Sequence, residues 1–302
     1  MNNAPTTPRV VFFGTPRFAA IVLDELVAAG YLPVLIVTAP DKPKGRKLVL
    51  TPSEVKVWAN AHHIPVLTPE KLQDELFAQE LKKAGGDLFL VAAYGKIIPK
   101  AVLDIPKHGT LNVHPSLLPK FRGPSPIESA ILSDEDHTGT SIMVLDEAMD
   151  HGPIVAQRLF EGSATTEAHP SLAWPPKADT LTDALAHEGG KLLAESIPTW
   201  IMTGNATPQD HTHATFTKKI TKEDGLIDLA RDPLLNYKKI RALDAYFFVE
   251  RGGKQIRVRI TDAAYRELPG ERGELILTRV IPEGKKEMPY ADFLRGAHTE
   301  KG

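Results

Sequence analysis

Five short apolar runs, separated by helix-like stretches, dominate the first 115 or so residues and leave few folds open to the chain. Val10-Val11-Phe12-Phe13 is continuous and β-favouring, and Gly14-Thr15-Pro16 ends it. Further runs follow at Pro33 to Val37, Ile64 to Leu67, Leu88 to Ala93 and Thr110 to Val113. The first four do not alternate apolar with polar, as a strand wetted on one face would, so the sheet they form is covered on both faces. Phe18 to Ala29 has helical spacing and stops at Gly30. Ser53 caps a helix over Glu54 to Ala61, and a helix over Asp74 to Ala84 ends at Gly85-Gly86. Strand and helix in alternation predict an α/β domain with a doubly wound, mostly parallel sheet.

The pattern then changes. Gly139 to Leu145 and Ile154 to Phe160 are two more strand candidates, and the polar, proline-containing stretch Gly162 to Asp179 reads as an excursion. A helix over Leu181 to Met202 packs back on the first domain, with Gly189-Gly190 and Pro198 blurring its limits. The length of 302 residues suggests two domains. We place them at residues 1–205 and 215–302, with 206–214, rich in Thr, His and polar residues, as the linker. Short alternating segments such as Ile256 to Ile260 and Leu275 to Leu277 predict a small β-rich barrel or sheet for the second. It carries 18 basic and 14 acidic residues, against 18 and 24 in the rest, so the two parts have different surface duties.

Several function classes fall away. With no cysteine there is no disulfide, no thiolate metal ligand and no cysteine nucleophile, and a reducing cytoplasm fits. No stretch approaches the apolar length of a spanning helix, and the start lacks a signal-peptide pattern, so no membrane partner is expected. Neither glycine-rich phosphate fingerprint is complete at Gly14, which argues against a tight dinucleotide or nucleoside triphosphate cradle. His62-His63 and the pair His211 and His213 lack further ligands at convincing spacing, so no metal is assigned.

Asn112 and His114 stand at i and i+2 at the end of a predicted strand and project from one face, where ligands bind in open parallel sheets. An amide beside an imidazole can polarise a carbonyl and support an oxyanion. Taken alone, His114 reads more readily as an ordinary hydrogen-bonded histidine. The following loop, Ser116 to Pro126, is stiffened by prolines, and either a functional or a plain connection would look so. Asp150 lies in a turn between strands, where a carboxylate could orient His114. By spacing alone it is a solvated acid, with His151 beside it as a possible decoy.

Asn112, His114 and Asp150, together with Ser116-Leu117-Leu118-Pro119-Lys120-Phe121-Arg122-Gly123, match the triad and the S-L-L-P-x-x-x-G signature of enzymes that use 10-formyltetrahydrofolate. Phe13-Gly14-Thr15-Pro16, Asp41 to Arg46, Ala92 to Pro99, Phe121 to Ile127, Lys219 to Asp228, Ile240 to Leu243 and Gly284 to Met288 resemble the methionyl-tRNA formyltransferase family. The likeness is dense from Val10 to Gln157 and resumes in the second domain. It departs from the family pattern between Arg259 and Gly284, which is shorter as if a barrel hairpin were missing, and at Asp244-Ala245-Tyr246.

The resemblance implies a Rossmann-like formyltransferase domain, an open-barrel C-terminal domain that helps hold tRNA, and formyl transfer from 10-formyltetrahydrofolate to the α-amine of initiator methionyl-tRNA. It assigns catalysis to Asn112, His114 and Asp150. Folate binding goes to Leu90, Ala92, Tyr94, Gly95, Ser116, Leu117, Leu118, Pro119 and Asp146, and tRNA binding to Lys42, Lys44, Arg46, Lys47 and Arg122. A cytoplasmic monomer is expected. The alternatives are formylation of an amino sugar nucleotide or another small amine, and a tRNA-binding adaptor with a relict fold.

Overall fold

The computed structural model describes residues 7–45, 48–133, 135, 137–160, 174–268 and 272–298. Arg46, Lys47 and most of the excursion, residues 162–173, lie outside them. The chain runs β1 (Val10–Gly14), α1 (Arg17–Ala28), β2 (Leu35–Val37), β3 (Lys42–Lys44), β4 (Val49–Thr51), α2 (Glu54–Ala61), β5 (Val66–Leu67), α3 (Glu75–Ala84), β6 (Leu88–Ala92), α4 (Lys100–Leu103) and β7 (Thr110–His114). There follow α5 (Pro126–Leu132), β8 (Gly139–Val144), β9 (Ile154–Leu159) and α6 (Ala178–Thr203).

Seven of these strands form one sheet in the order β5-β2-β1-β6-β7-β8-β9. The first five are mutually parallel and β8 and β9 are antiparallel additions. The chain therefore winds outward from β1 in both directions, and the carboxyl ends of β1, β6 and β7 lie side by side at the reversal. β8 and β9 are joined by the short stretch Leu145 to Pro153, too short for the crossover that parallel strands need. Every β1 and β6 residue is buried. Val11, Phe13, Phe89 and Val91 pack with Phe77 and Leu81 of α3 on one face, and Phe12, Leu88 and Leu90 are wholly buried on the other.

The predicted caps hold. Ser53 accepts the Lys56 N–H, Asp74 accepts the Leu76 N–H, and Gly85 closes α3 in the left-handed region at φ 64°. α6 runs unbroken through Gly189, Gly190 and Pro198. Its glycines mark close approach rather than an end: a Cβ at Gly189 would stand 2.6 Å from Val113 Cγ1, and one at Gly190 2.7 Å from Glu25 Cβ.

The chain divides into two compact units. The first holds residues 1–126, 137–161 and 182–217. Within it the stretch 206–214 is tied down: Thr207 and Ile154 exchange two backbone hydrogen bonds of 2.8 Å, and Gln209 is buried. The second unit holds residues 218–302 with 127–136 and 162–181. There α7 (Pro233–Ala242) and α8 (Tyr290–His298) accompany an antiparallel sheet of β10 (Tyr246–Arg251), β11 (Lys254–Arg266), β12 (Glu274–Pro282) and β13 (Met288–Pro289) in that order. The shortened stretch after Arg259 is the β11–β12 pairing. Ile240, Phe247, Val258, Ile260, Val280 and Phe293 form this unit's own apolar core. Among the described residues no helix is long and apolar enough to cross a membrane.

Candidate active site

β7 is buried along its whole length, and its period of two puts Asn112 and His114 on one face at its carboxyl end. Pro115 stops the strand, and the chain folds back so that the Phe121 carbonyl comes 3.0 Å from His114 Nε2. A carbonyl only accepts, so Nε2 carries a hydrogen. The other ring nitrogen, Nδ1, faces Asp150 Oδ1 at 3.6 Å. That is beyond a direct hydrogen bond yet close enough for the carboxylate to stabilise a protonated ring. The other Asp150 oxygen accepts the Gly123 N–H at 2.7 Å. The imidazole thus sits between two fixed groups, and His114 is only 4% exposed.

Polar side chains fix the loop that returns to His114. Ser141, on β8 opposite His114, accepts the Leu118 N–H (3.0 Å) and donates to the Ser116 carbonyl (2.6 Å). Gln157 on β9 donates to the Leu118 carbonyl (2.7 Å) and to Ser141 Oγ (2.8 Å). The Ser116 hydroxyl donates to the Lys120 carbonyl. Thr215 Oγ1 accepts the Phe121 N–H, and Thr217 pairs with Arg122 through its backbone and with Ser125 through its hydroxyl. Gly123, at φ +113°, is required: a Cβ there would stand 2.7 Å from Thr217 Oγ1. Apart from Ser116, these polar residues carried no sequence signal beyond Ser141, a small polar residue inside an apolar strand.

The structure brings Asn112, His114 and Asp150 together and separates several other expected site residues. Arg122 faces inward, 3% exposed, with Gln209 Oε1 accepting from its Nε (3.1 Å) and Nη2 (2.6 Å) and His211 Nδ1 accepting from Nη2 (2.8 Å). Arg122 is thus held inside the first unit and not at its surface. His151 belongs to a different contact: its Nδ1 lies 2.7 Å from Asp146 and its ring stacks on His211 at 4.3 Å.

The residues expected to bind folate also divide. Leu90 and Ala92 are wholly buried within β6 and have no surface to offer a ligand. Tyr94 packs edge-on against Phe13 in the core, and burial pushes its phenol up to about 12. Gly95 is exposed at φ 79°, and Leu117, Pro119 and Asp146 are partly exposed. Ser116 and Leu118 are buried parts of the loop scaffold.

Lys42 and Lys44 are exposed on a β-hairpin, β3 paired with β4, which the Lys-Pro-Lys sequence did not announce. Leu48, Val49 and Leu50 on it are exposed as well. Lys44 makes an exposed ion pair with Glu54 at 3.4 Å. Among the described residues no three or more His, Asp or Glu side chains stand where they could hold a metal ion.

A doubly wound sheet with an amide, an imidazole and a carboxylate gathered at the carboxyl end of a parallel strand defines a domain for group transfer at a carbonyl carbon. Residues 8–172 match the formyl transferase family model. A methionyl-tRNA formyltransferase of Chloroflexus aggregans is 40% identical over 96% of this chain and 98% of its own. One of Halalkalibacterium halodurans is 38% identical over 97% and 96%. The crystal structure of HypX from Aquifex aeolicus in complex with tetrahydrofolic acid shares the fold, with a TM-score of 0.60 at 17% identity over 96% of this chain and 47% of that one. The chain belongs to the formyl transferase family, among its methionyl-tRNA formyltransferases.

Proposed function

We propose that the protein transfers the formyl group of 10-formyltetrahydrofolate to the α-amine of methionine on initiator tRNA, giving N-formylmethionyl-tRNA for translation initiation. The observation that carries this reading is that Asp150 comes 3.6 Å from His114, which shares the face at the end of β7 with Asn112, in a chain of this family. The neutral amine attacks the formyl carbon, and the carbonyl electron pair moves onto oxygen. The Asn112 amide and the His114 ring stand at the strand end where that oxyanion forms. The nitrogen that has attacked then sheds a proton. His114 Nδ1, with the Asp150 carboxylate 3.6 Å away, is the ring position that can take it and be stabilised as a cation. Collapse breaks the bond from carbon to N10 of the folate, which leaves with a proton. No covalent enzyme intermediate is required.

For the folate, the surface residues Gly95, Leu117, Pro119 and Asp146 are the contacts we retain. For tRNA, we retain the hairpin cations Lys42 and Lys44 with Arg46 and Lys47, which lie outside the described residues, and the net positive C-terminal stretch 215–302. The catalytic set is complete in one chain, so a monomer suffices, and charged tRNA places the protein in the cytoplasm. The test is formylation of charged initiator tRNA by the purified protein, with uncharged tRNA, glycinamide ribonucleotide and an amino sugar nucleotide as competing acceptors. Product on the methionyl α-amine alone is expected. Preferential formylation of a small amine overturns the reading.

A further inference from the structure

Gln209 lies in the polar stretch that the sequence presents as a linker, yet it is 6% exposed and all four of its amide contacts are made inside the first unit. Both Arg122 contacts fall on Oε1, and since a guanidinium can only donate, they fix which way the amide points. The NH2 group therefore faces the carbonyls of Asp150 (3.0 Å) and Gly152 (2.7 Å) and gives one hydrogen to each. Between those two residues His151 is stacked on His211, whose Nδ1 takes the remaining Arg122 Nη2 hydrogen. The turn that carries the catalytic carboxylate is gripped by one side chain.

The grip matters because this turn is unusual. Asp150 has φ 49°, in the left-handed region that side-chain-bearing residues seldom adopt. At Gly152 a Cβ would run into the Val144 carbonyl, so the turn has no room to shift toward β8. The backbone angle at Asp150 sets where its carboxylate points, toward the Gly123 N–H and His114 Nδ1.

We infer that Gln209, oriented by Arg122, is a positioning residue for formyl transfer: it holds the Asp150 turn so that the carboxylate stays aimed at His114. The inference rests on the formyl-transfer reading above. Gln209 touches no reacting atom and acts only through Asp150. Replacing it by Glu keeps its size and its Arg122 contacts but turns an oxygen toward two carbonyl oxygens. Replacing it by Asn leaves the amide too short to span both.

The test is a double-mutant cycle in the full chain, with kcat and both KM values measured for wild type, Gln209→Glu, Gln209→Asn, Asp150→Ala and the two double variants. Each Gln209 variant is expected to lose about 10²-fold in kcat, the scale of a misplaced catalytic group, with both KM values moving less than about threefold. In the Asp150→Ala background the same replacements should cost less than about threefold, because the group being held is gone. Equal losses in both backgrounds overturn the inference. So do wild-type turnover in both Gln209 variants, a change confined to KM, or loss of the near-ultraviolet circular dichroism of both variants, which would make Gln209 a general stability residue. Wild-type turnover in Asp150→Ala alone would instead bring down the catalytic reading on which the inference stands.

Discussion

Two connections in the first unit, the loop from Ser116 to Gly123 and the β3–β4 hairpin, are built in opposite ways. In the first, the buried Ser141, the exposed Gln157 and the backbone of Thr215 and Thr217 hold the chain at nearly every step, and even its arginine is turned inward. In the second, lysines and three aliphatic side chains stand in water, held by one short strand pairing and an exposed ion pair that contributes little. A reacting group must be fixed to a fraction of an ångström, and that takes saturated hydrogen bonding. A large polyanion needs only charge on a surface that can adapt. Rigidity and display are spent in different places on one sheet.

The contrast breaks first at the site. Replacing His114 with Ala should lower kcat about 10³-fold, and Asn112→Ala nearly as much, since both act on charge that appears only in the transition state. Near-normal turnover in steady-state formylation would end the oxyanion assignment. Asp150→Asn should cost about 10² in kcat, more than it raises either KM, while His151→Ala stays within about twofold. A reversed ranking would move the role to His151.

The next two effects sharpen the comparison rather than threaten it. Ser141→Ala strands the buried Leu118 N–H, and should reduce unfolding free energy by about 2 kcal/mol in urea titration. A change under about 0.5 kcal/mol would mean that the loop does not depend on this scaffold. Lys42→Gln with Lys44→Gln should leave stability alone, raise the KM for tRNA about fivefold at moderate salt and flatten the salt dependence by about one to two contacts. An unaltered slope would reduce the hairpin to a solvated surface feature.

Much of this was legible in the residues. Unbroken apolar runs marked β1, β2 and β6 because strands buried on both faces leave no room for polar alternation, whereas β7, β8 and β9 carry polar residues and were legible only from the apolar residues between them. Ser53, Asp74 and Gly85 announced helix ends because capping chemistry is local. The candidate set Asn112, His114 and Asp150 was visible as a family signature, whereas its support was not. Ser141, Gln157 and Gln209 lie 25, 39 and 87 residues from their partners Ser116, Leu118 and Arg122, and no local pattern reports a hydrogen bond across such a span. The burial of Arg122 was hidden for the same reason. An arginine in a loop looks like surface until the buried acceptor that takes its protons is known.

Gly189 bears on a matter larger than helix packing. Its missing methyl group lets α6 rest 2.6 Å, by the position a Cβ would take, from Val113, the residue between Asn112 and His114. The helix therefore serves as the datum from which the height of the catalytic strand is measured, and any added thickness is passed on as displacement of both side chains at once. A side chain added at Gly189 therefore overpacks the core, at a cost of about 1–3 kcal/mol, and presses on the strand that carries Asn112 and His114.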